Sequence, residues 1–118
     1  MNDKRHYEYD NNKWNSWFYK TADWVRCRDS FIKSTDGCCE LCKEAYGKIT
    51  PGVIVHHHIP LTPENIHDEE ISLNHSNLHL LCQGCHNTVH YNQTNRLIVF
   101  DNDGQIKKEI NLNKYIEK

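Results

Sequence analysis

Two Cys-x-x-Cys pairs, Cys39-Glu-Leu-Cys42 and Cys82-Gln-Gly-Cys85, bracket the run His56-His57-His58-Ile59-Pro60. Four thiolates close a tetrahedral structural site, and thiolate ligation in that geometry suits zinc. With the cysteines so used, the histidines are left over for a second, open site. In so short a chain this pattern reads as a metal-stapled scaffold carrying a chemical centre. A redox Cys-x-x-Cys, or thiols without a shared role, is the competing interpretation. Cys38 offers an alternative ligand in the first pair, but Cys39 alone keeps the two-residue spacing to Cys42. Cys27 lies in a helical stretch and is expected to be a buried thiol.

The rest of the chain must supply a frame for that staple. At 118 residues it reads as one domain, 1–118. An apolar content of 37% permits only a small core, which a bound metal would reinforce. No apolar run is long enough to span a bilayer, and no signal-peptide pattern opens the chain. The expected setting is therefore the cytoplasm, with no membrane partner and with thiols free to bind metal rather than form disulfides.

Periodicity divides the chain into four stretches. Residues 1–13 are expected to be a flexible N-terminus. Residues 14–38 form a helical lead-in, with a helix over 14–34 whose stripe is Trp17, Phe18, Ala22, Val25, Phe31 and Ile32. Residues 39–92 are the zinc-stapled core. There Val53-Ile54-Val55 forms a strand, 61–76 a long polar loop, and Asn77–Leu81 a second strand. Gly84 makes a tight knuckle turn, and a short helix runs from His86 to about Asn92. Residues 93–118 begin with a hairpin, Leu97–Phe100 and Gln105-Ile106 about the turn Asp101-Asn102-Asp103-Gly104. The tail from Lys107 is either a short helix or disordered. The fold class is α+β.

Strand alternation sends neighbouring side chains to opposite faces, so His56 and His57 cannot share one role. His86 and His90, at i and i+4, share a helix face. His56, His86 and His90 thus make a three-imidazole site for a divalent metal with open positions, the mark of a catalytic rather than a structural centre. His57 is left as general base, since imidazole changes charge near neutral pH. His58 shares a face with His56 and competes for the metal in an alternative arrangement. His67, His75 and His79 receive no role. Trp14, Trp17, Phe18, Tyr19 and Trp24 are expected in the core, with base stacking as the alternative. Arg26 and Arg28 belong to a solvated face or touch phosphate.

The series His56-His57-x-x-Pro60-Leu61, then Asn77-Leu78-x-x-Leu81-Cys82-x-x-Cys85-His86-Asn87, resembles the HNH endonucleases, most closely the small phage-type enzymes with a four-cysteine zinc. Phe18-Tyr19-Lys20-Thr21-x-x-Trp24-x-x-x-Arg28 resembles their helical lead-in. The likeness spans about residues 17–91. It implies a ββα-metal (treble-clef-like) finger with His56 and His57 on the first strand and His86 and His90 on the helix. Where many members carry Asp, His56 stands as in the nuclease colicins. His90 falls where those colicins place a third imidazole, although many members use no ligand there. The resemblance makes Asn77 a structural brace for the loop. Asn87 is either a polar residue at the helix start or a substrate contact.

The implied activity is metal-dependent cutting or nicking of DNA that leaves 5′-phosphate and 3′-hydroxyl ends, with a structural Zn²⁺ and one catalytic Mg²⁺, Mn²⁺, Ni²⁺ or Zn²⁺. Phage packaging proteins enter as partners through the resemblance alone, and the compartment would then be host cytoplasm. The formal net charge of −2 leans against a nucleic-acid binder by composition. Residues 1–50 carry nine Lys/Arg against eight Asp/Glu, whereas 59–75 carry four acids and no Lys or Arg. Metal and partly protonated histidines would raise the local potential, so DNA affinity is expected to be moderate and salt-sensitive. The rival reading is a non-catalytic zinc module that binds DNA or a protein.

Overall fold

Residues 14–92 and 94–116 are described from a computed structural model. The flexible N-terminus expected over 1–13 lies outside these residues.

The lead-in is two pieces rather than one helix. Phe18–Lys20 form a 3₁₀ turn, and α1 runs only over Ala22–Ser34. Thr21 makes the break. Its extended backbone turns the chain, and its Oγ1 accepts from the Trp24 N–H at 3.1 Å while donating to the Phe18 carbonyl at 2.7 Å. A threonine that caps a first turn is worth more there than inside a helix. The expected aromatic group divides accordingly: Phe18, Tyr19 and Trp24 are buried, whereas Trp14 and Trp17 are exposed. Arg26 and Arg28 pair with Asp23 and Asp29 on the surface. Left-handed Asp36 and Gly37 end α1, and the Gly37 N–H returns to the Ile32 carbonyl at 2.9 Å.

Both cysteine pairs open helices. Cys39 caps α2 (Glu40–Tyr46), and Cys82 caps α4 (Gln83–Tyr91). Each cap sulfur accepts at 3.4 Å from the N–H of the second cysteine of its pair. The knuckle expected at Gly84 is therefore the first turn of a helix. Gly47, at φ 64°, closes α2 in the left-handed region.

Between the cysteines, β1 (Ile54–His57) and β2 (Leu78–Leu81) pair antiparallel, with Ile54 opposite Leu81, Val55 opposite Leu80, His56 opposite His79 and His57 opposite Leu78. Gly52 leads into β1, where a Cβ would stand 2.3 Å from Cγ of Leu80. The connection expected to be loop throughout contains α3 (Glu69–Ser72) and a 3₁₀ turn over His75–Asn77. The C-terminal hairpin comprises β3 (Arg96–Phe100) and β4 (Ile106–Asn111), with a register shift at Val99/Phe100. Instead of ending near Lys107, the second strand continues to Asn111 and a 3₁₀ turn, Leu112–Lys114.

The small sheet separates two apolar clusters. Its Val55, Leu78 and Leu80 face the α1 side with Phe18, Tyr19, Trp24 and Phe31. Leu81, on the opposite face, joins the cysteines, Leu41, Val89, Val99, Ile110, Leu112 and Tyr115. The hairpin thus packs over the cysteine cluster, as a small domain with a modest core requires. Cys27 is only half-buried and donates its S–H to the Leu73 carbonyl at 3.2 Å. Among the described residues no helix is long and apolar enough to cross a membrane.

Candidate metal centre and active site

The four capping-helix cysteines converge. The Sγ atoms of Cys39, Cys42, Cys82 and Cys85 all lie within 4.8 Å of one another. Cys42 stands 3.8 Å from Cys82 and 3.5 Å from Cys85, sulfur to sulfur. A tetrahedron of zinc–sulfur bonds requires an edge of about 3.8 Å. The electrostatics point the same way. A hydrogen bond from Cys85 holds the Cys39 thiol well below the usual range. That same bond, with burial, pushes Cys85 up, and burial raises Cys42. One negative charge is thus accommodated and further charges are resisted, so four thiolates require a cation among them. Cys38 is half-buried and bonds the Asp36 carbonyl, outside the cluster.

A second group forms between β1 and α4, beginning at the residue after Cys85. Strand alternation and the helix repeat bring a ring nitrogen of His56, His86 and His90 within 4.8 Å of one another. Metal–nitrogen bonds of about 2.0–2.1 Å require separations of about 3.4 Å in a tetrahedron, which ring rotations can reach. The ring centroids of His86 and His90 are 4.2 Å apart, and those of His56 and His86 are 5.8 Å apart. His56 is fully buried, and neither of its ring nitrogens has a hydrogen-bond partner. A buried polar group left in that state costs about 1–3 kcal/mol, a cost that a metal bond would remove at one of the two nitrogens. Burial, followed by the fields of His79, His86 and His90, lowers the His56 pKa to about 3. The ring is therefore neutral at physiological pH, with a lone pair to give. His90 is exposed and His86 half-buried, which leaves an approach from solvent.

His57 points the other way. It is 1% exposed, with its ring centroid 5.2 Å from that of Trp24, 6.3 Å from Phe18 and 6.5 Å from Tyr19. Its Nε2 lies 3.0 Å from the Ser72 carbonyl oxygen. A carbonyl only accepts, so Nε2 carries the hydrogen and Nδ1 is the basic nitrogen. Neither α3 nor this partner was legible in the polar composition of residues 61–76.

Asn77 spans the base of the long connection. Its Oδ1 accepts from the Ile59 N–H at 2.8 Å, and its Nδ2 donates to the carbonyls of Ile59 at 3.2 Å and Ile71 at 2.8 Å. The Asn77 carbonyl also accepts from the His58 N–H at 2.8 Å. Asn87 is exposed on α4 and accepts from the Gln83 amide at 2.9 Å. His58 stands outside the three-imidazole group, with its ring 6.0 Å from that of His79.

Sequence reasoning passed over Glu40 and His79. Glu40 accepts from the Leu80 N–H at 2.8 Å and from His79 Nδ1 at 3.0 Å. The signal for His79 is the strand register that sets it opposite His56, which a period-2 pattern alone does not provide.

The chain is similar to known proteins. The chain is 38% identical over 72 residues to a probable HNH endonuclease of Lactococcus phage SK1, covering 61% of this chain and 73% of the relative. Its fold matches the crystal structure of the HNH endonuclease of the deep-sea thermophilic bacteriophage GVE2, solved with a manganese ion. That match has a TM-score of 0.50 and 35% identity, over 60% of this chain and 72% of the other. No protein-family model matches the chain.

Proposed function

The chain belongs to the HNH endonuclease family, and from that premise we propose that it hydrolyses phosphodiester bonds in DNA, with His57 as general base and one divalent cation at His56, His86 and His90. Cys39, Cys42, Cys82 and Cys85 hold a separate structural zinc in this reading.

The observation that carries it is the convergence of the three imidazoles around a fully buried His56 whose two ring nitrogens lack protein partners. A bound divalent ion would polarise a phosphate oxygen and offset charge on the leaving oxygen. His56 on β1 and His86 and His90 on α4 would hold that ion, β1 being paired with β2, which runs directly into the cysteine-capped α4. Manganese, present in the solved relative, and nickel or zinc, suited to imidazole ligands, are the first ions to test.

His57 removes a proton from the attacking water through Nδ1. The Ser72 carbonyl holds the ring in the tautomer that this requires, as an orienting partner does for a catalytic histidine. The ring is 1% exposed and on the strand face opposite His56, so this role requires the segment that covers it to open as substrate binds. Asn77 braces both ends of the connection that carries Ser72. Asn87 is exposed one residue after His86 and either meets substrate in this reading or is only a polar residue near the helix start.

The test is plasmid cleavage by zinc-loaded protein across Mg²⁺, Mn²⁺, Ni²⁺ and Zn²⁺, with His86→Ala alongside. The expected result is metal-dependent cleavage that His86→Ala reduces at least 100-fold. DNA binding without cleavage under every metal would indicate a non-catalytic zinc module and overturn the proposal.

A further inference from the structure

His56 is the most deeply buried member of the three-imidazole group, yet no hydrogen bond orients its ring. Metal-binding histidines ordinarily donate their second ring nitrogen to a carboxylate, carbonyl or water, and that bond sets the ring plane. Something else must fix His56. Its cross-strand partner is His79, whose ring meets it edge to face, centroids 5.8 Å apart and planes at 88°.

His79 is itself held from two sides. Glu40, the residue after the first zinc-site cysteine, bonds His79 Nδ1 with one carboxylate oxygen and the Leu80 N–H with the other. From the opposite end of the chain, Tyr115 lays its ring against His79, centroids 5.0 Å apart. Tyr115 is in turn anchored on α2, its hydroxyl donating to Glu44 Oε1 at 2.6 Å. Lys114 and Lys108 also bond Glu44, through its carboxylate and its backbone carbonyl.

We infer that His79 is a positioning residue for the three-histidine site. Clamped between Glu40 and Tyr115, it sets the plane of the His56 ring by edge contact and so couples the cysteine-capped α2 to that site. The inference rests on the metal-site reading above. It assigns His79 no contact with substrate and no bond to the ion. The edge of its ring performs the role, and Glu40 keeps the ring from turning.

The experiment measures Mn²⁺ binding to zinc-loaded full-length protein from the loss of the free-ion paramagnetic resonance signal, with zinc content measured in parallel. Wild type should bind one Mn²⁺ that His86→Ala abolishes; failure here defeats the metal-site reading itself, before His79 is at issue. Given that site, His79→Ala should weaken Mn²⁺ binding about tenfold or more, the range for lost orienting partners, while one zinc per chain is retained. Glu40→Gln should weaken it in the same direction, because its amide donates where the carboxylate accepted. His79→Phe keeps the aromatic edge and the core volume but loses the Glu40 bond, so its loss should match that of Glu40→Gln and stay smaller than that of His79→Ala, and it should remain folded should the alanine variant not. Wild-type affinity in His79→Ala would overturn the inference. So would a loss in His79→Phe as deep as the loss in His79→Ala, since the ring edge would then not be what matters.

Discussion

His56 and His57 are adjacent in sequence and both buried, yet their surroundings differ. One face of β1 gives His56 neighbouring imidazoles and no hydrogen bond, while the other gives His57 the Trp24 ring and a carbonyl. This division was legible from strand alternation alone. The Ser72 carbonyl and the His79 contact were not, because both depend on how distant segments return to the strand. The low His56 pKa carries a consequence for stability. Between about pH 3 and 6.5 the unfolded chain binds a proton at this residue that the folded chain does not. Its contribution is therefore fully present above pH 6.5 and lost as pH falls toward 3. Metal release acts in the same direction, since only neutral imidazole binds. Urea unfolding of metal-free protein at the histidine site, followed from pH 7.5 to 4, should show stability falling with acidification, with a shallower fall in His56→Phe. Equal slopes in the two proteins would remove His56 as the source.

Among the elements, those defined by strong local signals sit close to where the sequence puts them. β1 and β2 form, the four-residue turn from Asp101 makes its hairpin, and a helix carries His86 and His90. The differences have local causes. Thr21 divides the lead-in because its side chain caps a helix, and α2 and α3 are too short, at seven and four residues, for a 3.6-residue pattern to declare itself. β4 extends through exposed Lys107, Lys108 and Glu109, a run that looks like a tail until Val99 and Ile110 are seen packed over the cysteines. Asn77 ties these elements together where β2 begins. Asn77→Ala leaves the Ile59 N–H and the carbonyls of Ile59 and Ile71 without these partners; at this half-buried place water recovers much of the roughly 1–3 kcal/mol that each fully buried group would lose. Denaturant unfolding should show a loss of about 2–3 kcal/mol with the zinc retained, and a variant as stable as wild type would remove Asn77 as a brace.

At the scale of the molecule, the cysteine cluster does what a small core cannot do alone. It joins the N-termini of α2 and α4, and the hairpin closes over it. The aromatic cluster on the other side of the sheet contains no proposed metal ligand. Cys82→Ser should therefore lose the tightly held zinc and unfold the α2–α4–hairpin side, read as zinc content by mass spectrometry and as loss of near-UV dichroism. A zinc-free variant that kept the wild-type melting curve would contradict the structural role. In the proposed reaction, one strand sends His56 to hold a metal and His57 to perform chemistry. His57→Gln tests it most directly, because glutamine can still donate to the Ser72 carbonyl and fill the space beside Trp24 but has no basic nitrogen, whereas alanine would open a cavity in the core. Plasmid cleavage by zinc-loaded His57→Gln in the presence of manganese should be at least about 100-fold slower than wild type, the usual worth of a general base, with Mn²⁺ binding unchanged. Cleavage at the wild-type rate would contradict the account.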